Sequence, residues 1–309
     1  MADHIPPFDL TRIALSTGVE LDVALAGAED APPLILLHGF PESHRSWRHQ
    51  IVHFAKTHRV IAPDQRGYAG SSKPEGVSEY TVQKLVGDVV ALADALGVDT
   101  FALAGHDWGG AGAWATALTH PDRVEKLIIA NAPHPYTYQK AIYTDPDQRA
   151  ATQYITAFRG PEFEAYVERK GWDAYYKENF ADHVQTPIPE EERQIYLQQW
   201  QTPGAFTAMI NWYRASAITI PPVDYDGPPP PAVQAFLDKP FPVLKMPVLL
   251  IWAMDDHALR PSLLDGIHSL IAKLMLVKLP GGHFVTWENH EAVTDAMDEF
   301  LNGDVTPVT

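Results

Sequence analysis

From Leu34 to Ala130 the chain alternates short apolar runs with stretches of helical spacing. Leu34-Ile35-Leu36-Leu37 and Val60-Ile61-Ala62 are continuous apolar runs. Such runs suit parallel strands covered on both faces. Between Tyr80 and Gly97 the period lengthens: Val82, Leu85, Val86, Val89, Ala93 and Leu96 share one helical face, and Gly97 is the expected stop. Phe101-Ala102-Leu103-Ala104 predicts the next strand, Gly109 to His120 a helix of small residues ending before Pro121, and Val124 to Ala130 another strand. Strands separated by helices imply right-handed crossovers and a parallel sheet.

The rhythm stops at Asn131. Residues from Pro133 to Ala232 are rich in aromatic and long polar side chains, without a clear buried strand, and predict several helices. This stretch closes on Pro221-Pro222 and then Pro228 to Pro231, a run excluded from a helix interior and suited to a stiff surface linker. The β/α rhythm then resumes, with a strand at Val248–Trp252, a helix at Ser262–Ile271, a strand at Leu274–Leu279 and a last helix at Glu291–Leu301. The expectation is one α/β domain, residues 1–132 and 233–309, interrupted by an all-helical insertion at 133–232. Residues from Asn302 to Thr309 are polar and expected to fray.

Composition narrows the function. The 309 residues carry 23 basic and 39 acidic side chains, a net charge of −16. That charge disfavours nucleic-acid backbones and anionic membranes as partners. Cysteine is absent, which excludes disulfides, thiolate metal sites and Cys nucleophiles. Met1 to Pro7 has neither a basic nor an apolar signal region, and the longest aliphatic stretch, Val248 to Met254, is too short to span a bilayer. A cytoplasmic protein is the expectation.

Gly105-His106-Asp107-Trp108-Gly109-Gly110 follows a predicted strand and opens a predicted helix. This is the setting of a nucleophile elbow, Gly-x-nucleophile-x-Gly, with Asp107 at the centre. A carboxylate attacks acyl carbons poorly, but it can displace a leaving group from sp³ carbon and form an alkyl ester. The alternative is a helix N-cap in a glycine-rich turn.

At this point the sequence resembles the α/β-hydrolase superfamily and, within it, the epoxide hydrolases. The resemblance covers nearly the whole chain. His38-Gly39-Phe40-Pro41 matches the His-Gly-x-Pro motif, and Asp64 to Ser72 matches the loop after the next strand. The insertion matches the cap domain in place and size. The implied fold is a mostly parallel central sheet flanked by helices, with an inserted all-helical cap. The resemblance implies His283, in Gly281-Gly282-His283-Phe284, as general base. It implies an acid at the Asp255-Asp256 turn, where Ala253 stands for the usual glycine of Gly-x-x-Asp and points to Asp256. Some relatives carry that acid one strand earlier, but the corresponding place here is near Asn131, which has no carboxylate. His106 and His38 are read as structural. The resemblance also implies backbone N–H groups of Phe40 and Trp108 as an oxyanion hole. Asn211-Trp212-Tyr213-Arg214 implies Tyr213, and the segment Gln153 to Phe158 implies Tyr154, as phenols on the substrate oxygen, with Tyr136, Tyr138 and Tyr143 in reserve.

The implied reaction opens a small, largely apolar epoxide to a vicinal diol, with no metal or organic cofactor, in a monomer or homodimer. The same Asp nucleophile serves haloalkane dehalogenases, which often carry Asn where this chain has Phe40. Fluoroacetate dehalogenases usually place Arg where this chain has Trp108. A non-catalytic ligand receptor on the same fold is the remaining alternative.

Overall fold

The computed structural model describes residue 5 and residues 7–303; the end of the expected frayed tail lies outside the described residues. Eight strands form one sheet in the order β1-β2-β4-β3-β5-β6-β7-β8. They are β1 (Leu10–Ala14), β2 (Glu20–Ala26), β3 (Pro33–Leu37), β4 (Arg59–Pro63), β5 (Phe101–His106), β6 (Val124–Ala130), β7 (Leu244–Ala253) and β8 (Ile271–Leu279). From β4 to β8 every pairing is parallel, while β1 pairs with β2, and β2 with β4, antiparallel. The chain therefore has the α/β-hydrolase fold.

Helices cover both faces. Residues of α2 (Val82–Ala95) and α3 (Trp108–Thr119) join one core, with Leu92 and Trp114 packed against Leu37, Leu103 and Leu127. Residues of α1 (Arg48–Phe54) and the C-terminal helix join the other, with Ile51, Phe54 and Phe300 against Leu36, Ala104 and Ile128. The expected face of α2 is buried in its middle, at Leu85, Val86 and Val89, whereas Val82 at its start is 45% exposed.

Between β6 and β7 there are only helices: α4 (Pro135–Thr144), α5 (Pro146–Ala151), α6 (Tyr154–Phe158), α7 (Phe163–Lys170), α8 (Trp172–Asn179), α9 (Glu190–Trp200), α10 (Ala205–Ala215) and α11 (Pro231–Leu237), with one short 3-10 turn. Aromatic side chains from α6 to α10 make their own core, which also takes in Phe40, Tyr68 and Phe284 from the sheet's loops. The last proline of the 228–231 run opens α11, where a missing N–H costs no helical bond. Helix α11 spans position 232 and packs Val233 against Ile142 and Tyr143 of α4.

The helix expected over Ser262–Ile271 is not formed. Two 3-10 turns, Pro261–Leu264 and Ile267–Leu270, take its place, separated by Gly266 at φ +81°. A left-handed residue stops helical hydrogen bonding, and β8 starts at once at Ile271, three residues before its expected start. After β8 come α12 (Val285–Glu288) and α13 (His290–Asn302). Among the described residues no helix is long and apolar enough to cross a membrane.

Candidate active site

The site lies past the carboxyl ends of the parallel strands, where open α/β sheets place their ligands. Asp107 stands between β5 and α3 with φ +50° and ψ −121°, an uncommon conformation for a non-glycine residue. The small neighbours make this turn feasible. A Cβ on Gly105 would meet the Gly109 carbonyl at 2.3 Å, and one on Gly109 would meet the Leu37 carbonyl at 2.2 Å. Asp107 is the N-terminal flanking residue of α3, yet its side chain makes no capping bond. Instead, Oδ1 accepts the backbone N–H of Phe40 at 2.7 Å, and Oδ2 lies 3.5 Å from His283 Nε2. Gly39 lets the Phe40 loop come this close, because a Cβ there would sit 2.4 Å from that of Asp107.

His283 follows β8. Its Nδ1 lies 2.7 Å from Asp256 Oδ2, and its backbone carbonyl lies 2.8 Å from His106 Nε2. Asp256 follows β7 and is 3% exposed. Its Oδ1 accepts the N–H groups of Ala258 and Leu259, at 2.8 and 2.9 Å. Its Oδ2 also accepts from Asn131 Nδ2 at 2.8 Å. Asp255 is exposed and turned elsewhere: its carboxylate accepts the N–H of Gly281 at 3.1 Å and holds the loop that carries His283.

Charge follows this geometry. Burial disfavours the Asp107 carboxylate, but the hydrogen bond and charge of His283, with the Phe40 N–H, outweigh it and hold the acid below its ordinary pKa. Asp256 is lowered likewise: burial opposes ionisation, and His283, the Leu259 N–H and Asn131 overcome it. For His283, burial disfavours the cation, yet Asp256 and Asp107 hold the imidazole well above its ordinary value. A raised folded pKa adds stability that is complete below the unfolded value and disappears as pH climbs through the folded one. Relative to His283→Gln, wild type will therefore lose thermal stability as pH rises from about 6.5, the ordinary imidazole value, through the raised folded value. Calorimetric melts in matched buffers check this, and parallel curves contradict it.

The two phenols expected from the sequence, Tyr213 and Tyr154, lie close to each other in the helical insertion. Tyr213 on α10 is 3% exposed and meets Phe40, Trp108 and Phe158 edge-on, with ring centroids 5.1, 5.1 and 5.0 Å away. Tyr154 opens α6, 6.1 Å from Tyr213 by ring centroids. Burial first, then neighbouring phenols and the Asp107 charge, push both pKa values well above the ordinary 10. Both therefore keep their hydrogens at neutral pH. Tyr143 is elsewhere, against Tyr225, and Tyr136 packs on Phe241. Tyr138 lies against the same aromatic core as Tyr154.

His106 and His38 hold the scaffold. His106 Nδ1 is 3.1 Å from the buried Glu42. Nε2 of His38 accepts the Gln65 N–H at 3.0 Å. Asn131 is the residue that sequence reasoning passed over. It is fully buried at φ +38°, gives its Nδ2 to Asp256, and accepts the Ala253 N–H on Oδ1 at 2.8 Å. Its sequence signal was its place, directly after β6 and beside the strand that carries the acid. Asn131→Ala leaves a buried N–H without an acceptor, at a cost of about 1–3 kcal/mol. It also frees one side of Asp256, so we expect turnover to fall about tenfold together with a lower melting temperature, a cost of about 1.4 kcal/mol in the barrier. An unchanged turnover would count against Asp256 as the orienting acid.

Comparison with known proteins places the chain in a family. Residues 32–290 match the family described as alpha/beta hydrolase fold. Epoxide hydrolase A of Mycobacterium tuberculosis is 30% identical over 94% of this chain and 97% of its own. A solved structure described as one of the novel epoxide hydrolases from metagenomes of hot environments is 48% identical. It covers 97% of this chain and 100% of its own, with a TM-score of 0.88. The chain belongs to the epoxide hydrolase family of α/β-hydrolases. AB hydrolase superfamily protein YfhM of Bacillus subtilis, 35% identical over 89% of this chain and 91% of its own, is similar as well. So is the crystal structure of the Bacillus megaterium epoxide hydrolase in complex with an inhibitor, at 30% identity and a TM-score of 0.83, covering 94% of this chain and 100% of that one.

Proposed function

We propose that the chain hydrolyses small, largely apolar epoxides to vicinal diols through a hydroxyalkyl ester on Asp107, with residues 133–232 as the cap over the substrate. The observation that carries this reading is the pairing of one carboxylate with two phenols, the buried Tyr213 and the partly buried Tyr154, whose pKa values rise partly under its charge. Alkyl transfer to a carboxylate needs a leaving group. An epoxide oxygen leaves as an alkoxide unless it is protonated, and phenols supply that hydrogen.

In the proposed sequence Asp107 Oδ2 attacks a ring carbon while Oδ1 stays on the Phe40 N–H. The C–O electron pair moves to oxygen, which takes a hydrogen from Tyr154 or Tyr213. Esterification removes the Asp107 charge, one of the two that hold the His283 cation. The imidazolium then gives its proton back to the phenolate through solvent and becomes a base. A water loses a proton to His283 and adds to the ester carbonyl. Oδ1 becomes the oxyanion, held by the N–H groups of Phe40 and Trp108. Collapse breaks the acyl C–O bond, and the departing alkoxide takes the proton left on the carboxyl. Diol leaves, and the resting carboxylate, imidazolium and phenols return. Asp256 fixes the imidazole throughout.

The aromatic neighbours Phe40, Trp108 and Phe158 support an apolar substrate. Diol from styrene oxide is the expected assay result. Halide from a bromoalkane with no diol would assign the same carboxylate to carbon–halogen cleavage instead, and neither product would make the chain a receptor.

A further inference from the structure

The two helices that carry the phenols are tied together by arginines. Arg159 directly follows α6, and its guanidinium reaches the last turn of α10 and the chain just beyond it. Nε donates to the carbonyl of Tyr213 itself at 2.9 Å, Nη2 to that of Ser216 at 3.0 Å and Nη1 to that of Ile218 at 3.0 Å. The last four C=O groups of a helix have no partner within it, so a side chain that binds there fixes the end of the helix. The Tyr213 carbonyl also takes the Ser216 N–H, at a longer 3.3 Å. From α10, Arg214 answers in the other direction. It donates to the Gly160 carbonyl at 2.9 Å and to both oxygens of Glu164, at 2.6 and 2.7 Å. Arg214 thus has a carboxylate, whereas Arg159, partly buried, gives its N–H groups to backbone carbonyls alone among the described residues. Taking a cation out of water without a carboxylate is costly, and three carbonyls offset that cost only while they stay in place around it. The start of α6 has an anchor of its own, since Gln153 Nε2 donates to the Arg149 and Pro221 carbonyls at 3.0 and 3.1 Å.

We propose that Arg159 is a positioning residue that acts through Tyr213, holding the end of α10 so that the Tyr213 hydroxyl meets the leaving oxygen. This rests on the reading of Tyr213 as a donor to the epoxide. Arg159 exchanges no proton with the substrate. Its contribution is the place of a backbone carbonyl, and with it the place of the phenol on the same residue. A misplacement on the order of 1 Å, caused far from the reacting atoms, can cost about 100-fold in rate. Here Tyr154 covers part of that loss, because its own anchor at Gln153 does not involve Arg159. Lysine cannot replace the arginine. Its ammonium is a compact charge on a flexible stem, and it lacks the planar fork that serves three carbonyls at once. The effect belongs to the alkylation step, the one in which the proposed sequence uses the phenols.

The test is a double-mutant cycle read by rapid-quench mass spectrometry of Asp107 alkylation with styrene oxide, and of the later loss of the ester. Arg159→Lys should slow alkylation about tenfold in the wild-type and Tyr154→Phe backgrounds, and no further in Tyr213→Phe. Ester hydrolysis should stay within about twofold. A fall in melting temperature is expected for any role of Arg159, so the kinetic coupling is the readout. The same coupling is expected in Arg159→Gln, which keeps a planar amide donor and serves if the lysine variant does not fold. An equal loss in the Tyr213→Phe background, or an equal loss in both half-reactions, overturns the proposal and makes Arg159 a general support of the cap. A slow Tyr213→Phe beside a wild-type alkylation rate in Arg159→Lys overturns this proposal alone. If Tyr213→Phe itself alkylates like wild type, the donor reading of Tyr213 fails, and this proposal falls with it.

Discussion

His283→Gln, mixed with styrene oxide, will accumulate a covalent adduct on Asp107 with a mass increase equal to the whole epoxide. Alkylation needs the Asp107 carboxylate and a hydrogen on the leaving oxygen, and neither comes from His283. Hydrolysis of the ester needs water activated next to Asp107, and His283 Nε2 is the ring nitrogen facing that carboxylate, 3.5 Å from Oδ2. General-base catalysis contributes roughly 10²–10⁴-fold, so release of the ester should slow by about that much while its formation continues. Intact-protein mass spectrometry over minutes, followed by peptide mapping, reads both the adduct and its position. A variant that is inactive and carries no adduct would place His283 in the first step, against the proposed order.

Removing both phenols will have the second large effect. Loss of one preorganised donor to a developing oxyanion typically costs about 10²–10³-fold. Tyr154 and Tyr213 approach one site from α6 and α10, so either can partly cover for the other. Tyr213→Phe alone should leave measurable epoxide opening, and the double change to Phe should leave almost none. Halide release from a bromoalkane, where any is detected, should not fall in parallel, because a halide leaves without a proton. Steady-state rates with both substrates decide the matter. Equal losses in the two reactions would make the tyrosines packing residues of the aromatic core.

The parts of the fold that could be read from sequence are those whose burial is complete. Strand β5 is buried at every residue, and its apolar run needed no partner to be recognised. The same holds for the run inside β3. Strands β1 and β2 escaped notice because they form the antiparallel edge. Leu10 and Leu25 there are 40% and 38% exposed, so no continuous apolar run marks them. Helix α1 was missed because its covered face is partly polar, with Arg48 and Gln50 buried beside Ile51 and Phe54. The Ser262–Ile271 segment has helical apolar spacing, at Leu263, Leu264, Ile267 and Leu270, but Gly266 breaks it into two turns. Periodicity reports which side faces the core, not whether one helix or two turns presents it.

The candidate site was legible where a motif fixes the backbone. The glycines around Asp107 and His283 announce sharp turns at strand ends, and a resemblance could then attach chemistry to them. The acid needed more, since Asp255 and Asp256 are adjacent and of one chemistry. The three-dimensional structure separates them, because one is exposed on the Gly281 turn and the other is buried against His283. The role of Asn131 was beyond sequence reasoning. It acts through hydrogen bonds to Asp256 and Ala253, far along the chain, and no local pattern records such bonds.

The central claim is that water attacks the ester carbonyl and not the epoxide carbon. A single turnover with enzyme in excess over styrene oxide, run in heavy-oxygen water, tests it directly. Mass spectrometry of the diol and of the peptide bearing Asp107 follows the label. The covalent route predicts that the heavy oxygen enters the Asp107 carboxyl and that the first diol carries ordinary oxygen. A labelled first diol with an unlabelled Asp107 would mean direct attack of water on the epoxide, and would contradict the covalent route.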